Sequence, residues 1–212
     1  MDSPRVKRIL INSQDHTEDI QQFRAMIRVD SIAPGRVGTC LVAEMFWSAV
    51  LTGSLDPGMV LDEMRALEGR GKSNTKPPTP FTGSLLRGLW HKHHMVSGVS
   101  SMAENILHSL RKHGLPYLEQ RLAEAEASRV PQYVTVEDIR LIADDAVQGA
   151  LGRRAREAAL TGEWIVYAIH EGKNYFLCLG GHKEGDAAIR AKIDTFCRPE
   201  FPFLADLLDG VP

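Results

Sequence analysis

The sequence predicts an α+β fold: a predominantly helical single domain with a C-terminal antiparallel β-hairpin or small sheet. Three observations carry this. Apolar residues recur at helical spacing through most of the chain, as at Ile20, Phe23 and Ile27. Glycine and proline punctuate those stretches at Pro34-Gly35, Gly53, Pro57 and Gly114 to Pro116. Two β-prone runs, Trp164 to His170 and Tyr175 to Leu179, flank Glu171-Gly172-Lys173-Asn174, the form of a hairpin and its turn.

Taken in order, Val6 to Ile11 is a short β-prone run. Thr17 to Val29 then reads as a helix, with Thr17 as its cap and Glu18 and Asp19 suited to the positive helix end. Ala33 to Gly38 is a turn. Thr39 to Thr52 is a helix apolar on most sides and belongs in the centre of the fold. Asp56-Pro57 opens another through Met59, Leu61, Met64 and Leu67, since proline at the first helical position loses no hydrogen bond. Gly69 to Pro80, with Arg70, Lys72 and Lys76 and no apolar period, is a loop long enough to be a linker, a surface connection or a lid.

Phe81 to Met95 fits a helix that gathers Leu85, Leu86, Leu89, Trp90 and His93 on one side. Ser101 and Glu104 form a capping-box pattern ahead of Ile106, Leu107 and Leu110, and Gly114 to Pro116 ends that helix. Tyr117 to Ala127 is a charged helix with Leu118 and Leu122 inward. Thr135 to Asp138 opens a further one through Ile139, Ile142, Ala146, Ala150 and Leu151, its period extending toward Leu160. After the hairpin, Asp186 to Phe196 and Phe203 to Leu208 are helical, separated by Pro199 and Pro202. The whole reads as one globular domain over 1–212, with a subdivision open into 1–68 (helical), 69–80 (loop) and 81–212 (histidine-rich, helical and hairpin).

A net charge of -2 gives no global field to steer the chain onto nucleic acid, so any such contact needs a local basic patch. No apolar run is long enough for a membrane span, the first residues lack a secretory pattern, and a cytoplasmic location without membrane contact is expected. Cys40, Cys178 and Cys197 have no paired spacing and read as reduced, packed thiols. Gly-x-Gly-x-x-Gly, Walker and Gly-x-Ser-x-Gly patterns are absent.

The chemistry-bearing segment is Gly88-Leu89-Trp90-His91-Lys92-His93-His94, followed by a basic stretch from Leu107 to His113. On a helix His91 and His94 share a surface with Arg87, and Glu104, His108 and Lys112 line a stripe of the next. Two antiparallel helices would then bring these surfaces together. Imidazoles that titrate near neutrality can remove one proton and return another, as metal-independent RNA cleavage requires, and Arg87, Lys92 and Arg111 supply phosphate-binding charge. His182, between Gly180-Gly181 and a helix start, joins His91 and His94 as a catalytic candidate, with Lys183 as cation and Glu184 as a proton acceptor.

The run Tyr175-Phe176-Leu177-Cys178-Leu179-Gly180-Gly181-His182-Lys183 beside helices resembles the C-terminal portion of small RelE-type toxins and the wider barnase-like ribonuclease grouping. That resemblance covers the last fifty residues and implies metal-independent RNA cleavage on a small antiparallel sheet. The leading expectation is therefore a ribonuclease-like enzyme acting without a cofactor on RNA or another phosphate ester. Two alternatives stand beside it. One is a noncatalytic helical interaction protein (antitoxin, immunity or regulatory subunit) that binds a protein partner or forms a homodimer through the helices of Thr39 to Leu67. The other is a zinc-dependent hydrolase with His91, His94, Glu104 and His108 as ligands.

Overall fold

The computed structural model describes residues 8–95, 99–128, 133–157, 159–160, 162–181 and 183–210. It is predominantly helical around a small antiparallel sheet, and the sheet is assembled from the middle of the chain as well as from the later hairpin. A two-stranded ribbon, β1 (Leu10–Ile11) and β2 (Gln14–Asp15), leads into α1 (Thr17–Met26). The Thr17 hydroxyl accepts from Ile9 N at 2.8 Å and donates to Asp15, tying ribbon to helix. α2 (Thr39–Phe46) continues as a π-helical turn over Trp47–Leu51, and α3 (Pro57–Leu67) starts at Asp56, whose carboxylate caps Gly58 N at 2.8 Å.

Four strands form the main sheet in the order β3 (Thr79–Pro80), β4 (Leu89–His94), β5 (Glu163–His170), β6 (Lys173–Gly180), all antiparallel. Helices α1 to α3 cover one face, packing on Ile165, Tyr167 and Phe176. The other face, with Leu89, Val166, Ala168, Leu177 and Cys178, is covered by α8 (Asp186–Lys192), its π-helical extension Ile193–Cys197, and α9 (Phe203–Asp209). Strict alternation would send Leu177 and Cys178 to opposite faces. A bulge between Val166 and Tyr167 in the β5–β6 register inserts one extra residue, so both side chains enter the same core.

The segment expected as a helix over Phe81 to Met95 is a correction: it is a short 3-10 turn, Ser84–Leu86, followed by strand β4. Gly88 joins the two at φ +92, a backbone conformation that favours glycine, and a Cβ there would press on Leu207 at 3.1 Å. The helices between β4 and β5 are α4 (Val99–His113), α5 (Pro116–Ala127), α6 (Val136–Asp144, extended by a π-helical turn to Gly149) and α7 (Ala150–Arg156). They leave the sheet and return to it as one excursion. α6 starts on the capping box Thr135–Asp138, and neither α5 nor α6 buries a described residue.

The loop of Gly69 to Pro80 is anchored at several points. Arg70 donates to the carbonyls of Ser31 and Ile32, Lys76 N bonds Leu160 O at 3.1 Å, and Thr75 Oγ1 donates to His93 O at 2.8 Å. The excursion closes just as tightly: a Cβ on Gly162 would lie 1.9 Å from His94 O. Gly162→Ala is therefore expected to pry β4 from β5 and destabilise the protein by about 1–3 kcal/mol, read from its urea midpoint against wild type.

Candidate functional site

A strand alternates its side chains, so β4 divides the histidine cluster that a helix would have gathered. His91 and His93 lie on the face of α8 and α9, where His91 packs between Phe81 (4.8 Å) and Trp164 (4.9 Å), and His93 Nδ1 is 2.9 Å from Gly162 O. Lys92 and His94 lie on the other. Lys92 is 2% exposed, its ammonium set among Ser73 Oγ (2.7 Å), Thr75 Oγ1 (2.7 Å), Thr75 O (3.2 Å), Lys76 O (2.5 Å) and Glu63 Oε2 (3.2 Å). Burial pushes its pKa down and Glu63 works against that shift.

The other candidates are dispersed. Arg87 is exposed on the 3-10 turn at the opposite end of β4 from His94, about 20 Å away at strand rise. His108 and Arg111 are exposed on α4, with Glu104 exposed on the same helix. Lys112 and His113 pair with Glu157 at 2.8 and 3.2 Å. Lys183 is exposed beyond β6, and His182 lies outside the described residues. The expected antiparallel pair of histidine-bearing helices does not form, because one partner is a strand. Among the described residues, no group of three or more His, Cys, Asp or Glu side chains is placed to hold a metal ion. Nor, among them, is any helix long and apolar enough to cross a membrane.

What the fold does build is a cavity of about 510 Å³ beside α2, at the end of the sheet where β4 and β6 finish and β5 begins. Most of its wall is apolar: Ile9, Leu10 and Ile11 from the N-terminal ribbon, Ala43 and Trp47 from α2 and its extension, Leu55, Leu179 and Phe196. Leu10, Trp47 and Phe196 are also exposed to solvent, so part of this apolar lining reaches the protein surface. Cys40 enters the wall from the first turn of α2 and also packs against the core that holds Cys178 and Cys197.

The polar end of this cavity follows from an edge-strand problem. β6 is the last strand of the sheet, and its outward N–H and C=O groups need partners. Near Phe176 the backbone of Arg36 and Gly38 supplies them, at 2.8 Å each. At Leu179 two side chains do so: Glu44 Oε2 accepts from its N–H at 2.6 Å, and Lys192 Nζ donates to its carbonyl at 2.9 Å. Lys192 also donates to Glu44 Oε1 at 2.6 Å and Glu184 Oε1 at 2.8 Å. All three of its N–H groups are thus engaged. Burial raises the Glu44 pKa against the pull of Lys192. For Lys192, burial opposes the charge, but its two carboxylate partners outweigh it and its pKa rises.

Glu163 and His94, directly opposed in the β4–β5 register, also line the cavity. His94 is 1% exposed, its Nδ1 lies 3.1 Å from Met95 O, and its buried Nε2 has no hydrogen-bond partner among the described residues. Burial pulls its pKa down to about 4, so the ring is neutral at pH 7. Sequence reasoning singled out His94 and Glu184 but missed Glu44, Lys192, Cys40 and Glu163 as site residues. One local signal was available: Glu44 interrupts a helix that is otherwise apolar on most sides, where a carboxylate needs a buried partner.

Comparison with known proteins finds no matching family model, no matching curated protein and no matching solved structure. The class defined by fold and site is thus structural: a helix-covered four-stranded antiparallel sheet with an apolar cavity at one end and a compact polar group inside it.

Proposed function

We propose that the protein binds a small, largely apolar molecule in the cavity between α2 and the end of the sheet. The observation that carries this reading is the combination of volume and lining: about 510 Å³ of mainly hydrophobic wall with a few convergent polar groups. Cavities of about 300–1,000 Å³ with that composition are the usual form of small-molecule sites, because apolar burial supplies affinity and isolated polar groups supply orientation. A phosphate ester suits this cavity poorly. Glu44, Glu163 and Glu184 all stand in the wall, and Lys192 has no N–H left for an anion.

Cys40 provides the test. Cys178 and Cys197 are fully buried, whereas Cys40 is half-buried in the cavity wall, so N-ethylmaleimide is expected to label Cys40 first. An eight-carbon amphiphile such as 1-octanol should slow that labelling several-fold and shift the emission of Trp47, with Trp47→Phe identifying the responding indole. Unchanged labelling and unchanged emission at saturating aqueous octanol would remove the cavity as a binding site.

A further inference from the structure

We infer that Cys40 is an oxidation site for hydroperoxides, and that Cys197 converts the oxidised sulfur into an intrachain disulfide. The inference is independent of what the cavity binds. Cysteines far apart in the sequence gather at one place. Cys178 and Cys197 are fully buried in the core between the sheet and α8 and α9, and Cys40, on the first turn of α2, packs against that core. Cys40 alone of the three is only half-buried, in the wall of the cavity. An oxidant little larger than water therefore meets Cys40 first.

The way α2 starts selects the partner. Glu200 Oε2 accepts from Thr39 N at 2.8 Å, and Phe201 lies 3.4 Å from where a Cβ on Gly38 would stand. The start of α2 is thus held against the residues that follow Cys197. Leu177 O touches both sides: it lies 3.0 Å from that same Gly38 position and accepts from Cys197 Sγ at 3.5 Å. Hydrogen bonding to Cys40, followed by burial, holds the Cys197 thiol far above the usual thiol range, so it stays protonated while Cys40 reacts. Cys178 is a poorer partner. It is fixed in β6 opposite Val166, where a shift toward α2 would disturb the strand pairing, whereas Cys197 is the last residue of a helical segment.

The chemistry balances with the peroxide as the sole oxidant. The Cys40 thiol gives its proton to solvent and the thiolate attacks one peroxide oxygen. The O–O bond breaks, hydroxide leaves and takes a proton back as water, and the sulfur becomes a sulfenic acid. The Cys197 sulfur then attacks the Cys40 sulfur, the S–O bond breaks, and the departing hydroxide carries off the Cys197 proton as a second water. Two thiols are oxidised to one disulfide and one peroxide is reduced to two waters. The bridge ties α2 to the π-helical extension Ile193–Cys197, which carry Glu44 and Phe196 of the cavity wall.

The experiment treats the full, reduced chain with a few equivalents of hydrogen peroxide, alkylates the remaining thiols with N-ethylmaleimide in denaturant, and maps the peptides by mass spectrometry without reductant. Wild type is expected to lose two of its three thiols, to yield linked peptides carrying Cys40 and Cys197, and to regain both thiols with dithiothreitol. Cys197→Ala should stop at the sulfenic acid, trapped on Cys40 by dimedone. Cys40→Ser should leave Cys178 and Cys197 reduced at the same dose, and Cys178→Ala should form the bridge as wild type does. A link from Cys40 to Cys178, a link between two chains, or a sulfinic acid on Cys40 in place of the bridge overturns the inference. So does survival of all three thiols at a dose that oxidises free cysteine. The wild-type map decides the matter even where a variant fails to fold, and with no ligand in the mixture its result leaves the cavity reading to its own test.

Discussion

Lys92→Met is expected to cost about 3–5 kcal/mol of folding stability, more than a surface lysine could, because it breaks a buried ion pair on one side only. The methionine fills the space of the stem, but Glu63, only 7% exposed, keeps a carboxylate with its cation gone. Thr75 O and Lys76 O lose their donor as well, and they hold the Gly69 to Pro80 loop against β4. Urea unfolding of wild type, Lys92→Met and the double variant Lys92→Met/Glu63→Gln separates these contributions. The double variant should recover part of the loss, since glutamine carries no charge to strand. A loss below about 1 kcal/mol in the single variant would show the ammonium to be surplus to the fold.

The second large effect is a loss of stability on acidification that passes through His94. Its pKa is about 4 in the folded protein against 6.5 for a free histidine. Between those values the unfolded chain binds a proton that the folded chain refuses, so stability falls as pH drops from 6.5 toward 4 and is unaffected by this group above 6.5. The full difference amounts to about 3 kcal/mol. Glu44 acts in the opposite sense, because its raised pKa lets the folded state take up a proton first. Subtracting the pH profile of His94→Phe from that of wild type cancels Glu44 and the other carboxylates and isolates the imidazole. Parallel profiles from pH 7 to 4 would mean that His94 is hydrated in the folded protein.

Local patterns read well wherever one element carries its own start, period and stop. The start of α6 at Thr135 to Asp138 and the Gly114 to Pro116 break that ends α4 behave as their residues require, whereas α4 begins at Val99, ahead of the Ser101 and Glu104 pair that reads as its capping box. The hairpin forms with a tighter turn than its polar run suggests: Lys173 and Asn174 are already in β6, leaving Glu171 and Gly172 as a two-residue turn. The helix ending nearer Arg156 than Leu160 follows from Leu160 being drawn into a bridge with Thr75.

The histidine segment failed for a physical reason. Leu85, Leu86, Leu89, Trp90 and His93 satisfy a helical wheel, and a six-residue strand burying polar side chains on both faces shows no apolar alternation to compete with it. The local warning was Gly88, a helix breaker in the middle of the supposed helix. Its effect is to turn one expected surface into two, which is why His91 and His94 do not meet.

By itself, the sequence determined which stretches are helical at the ends of the chain, where the hairpin turns, and that His94 and Glu184 carry polar chemistry, because capping, turn formation and side-chain chemistry depend on near neighbours. Only the tertiary structure decided that β4 pairs with β5 across a helical excursion of more than sixty residues. Through that pairing it also decided that Glu44, His94, Glu163 and Lys192 surround one apolar cavity. The reason is that strand partners and cavity walls are chosen by the burial of faces and the pairing of edge groups across the chain, and neither leaves a period in the residues that take part.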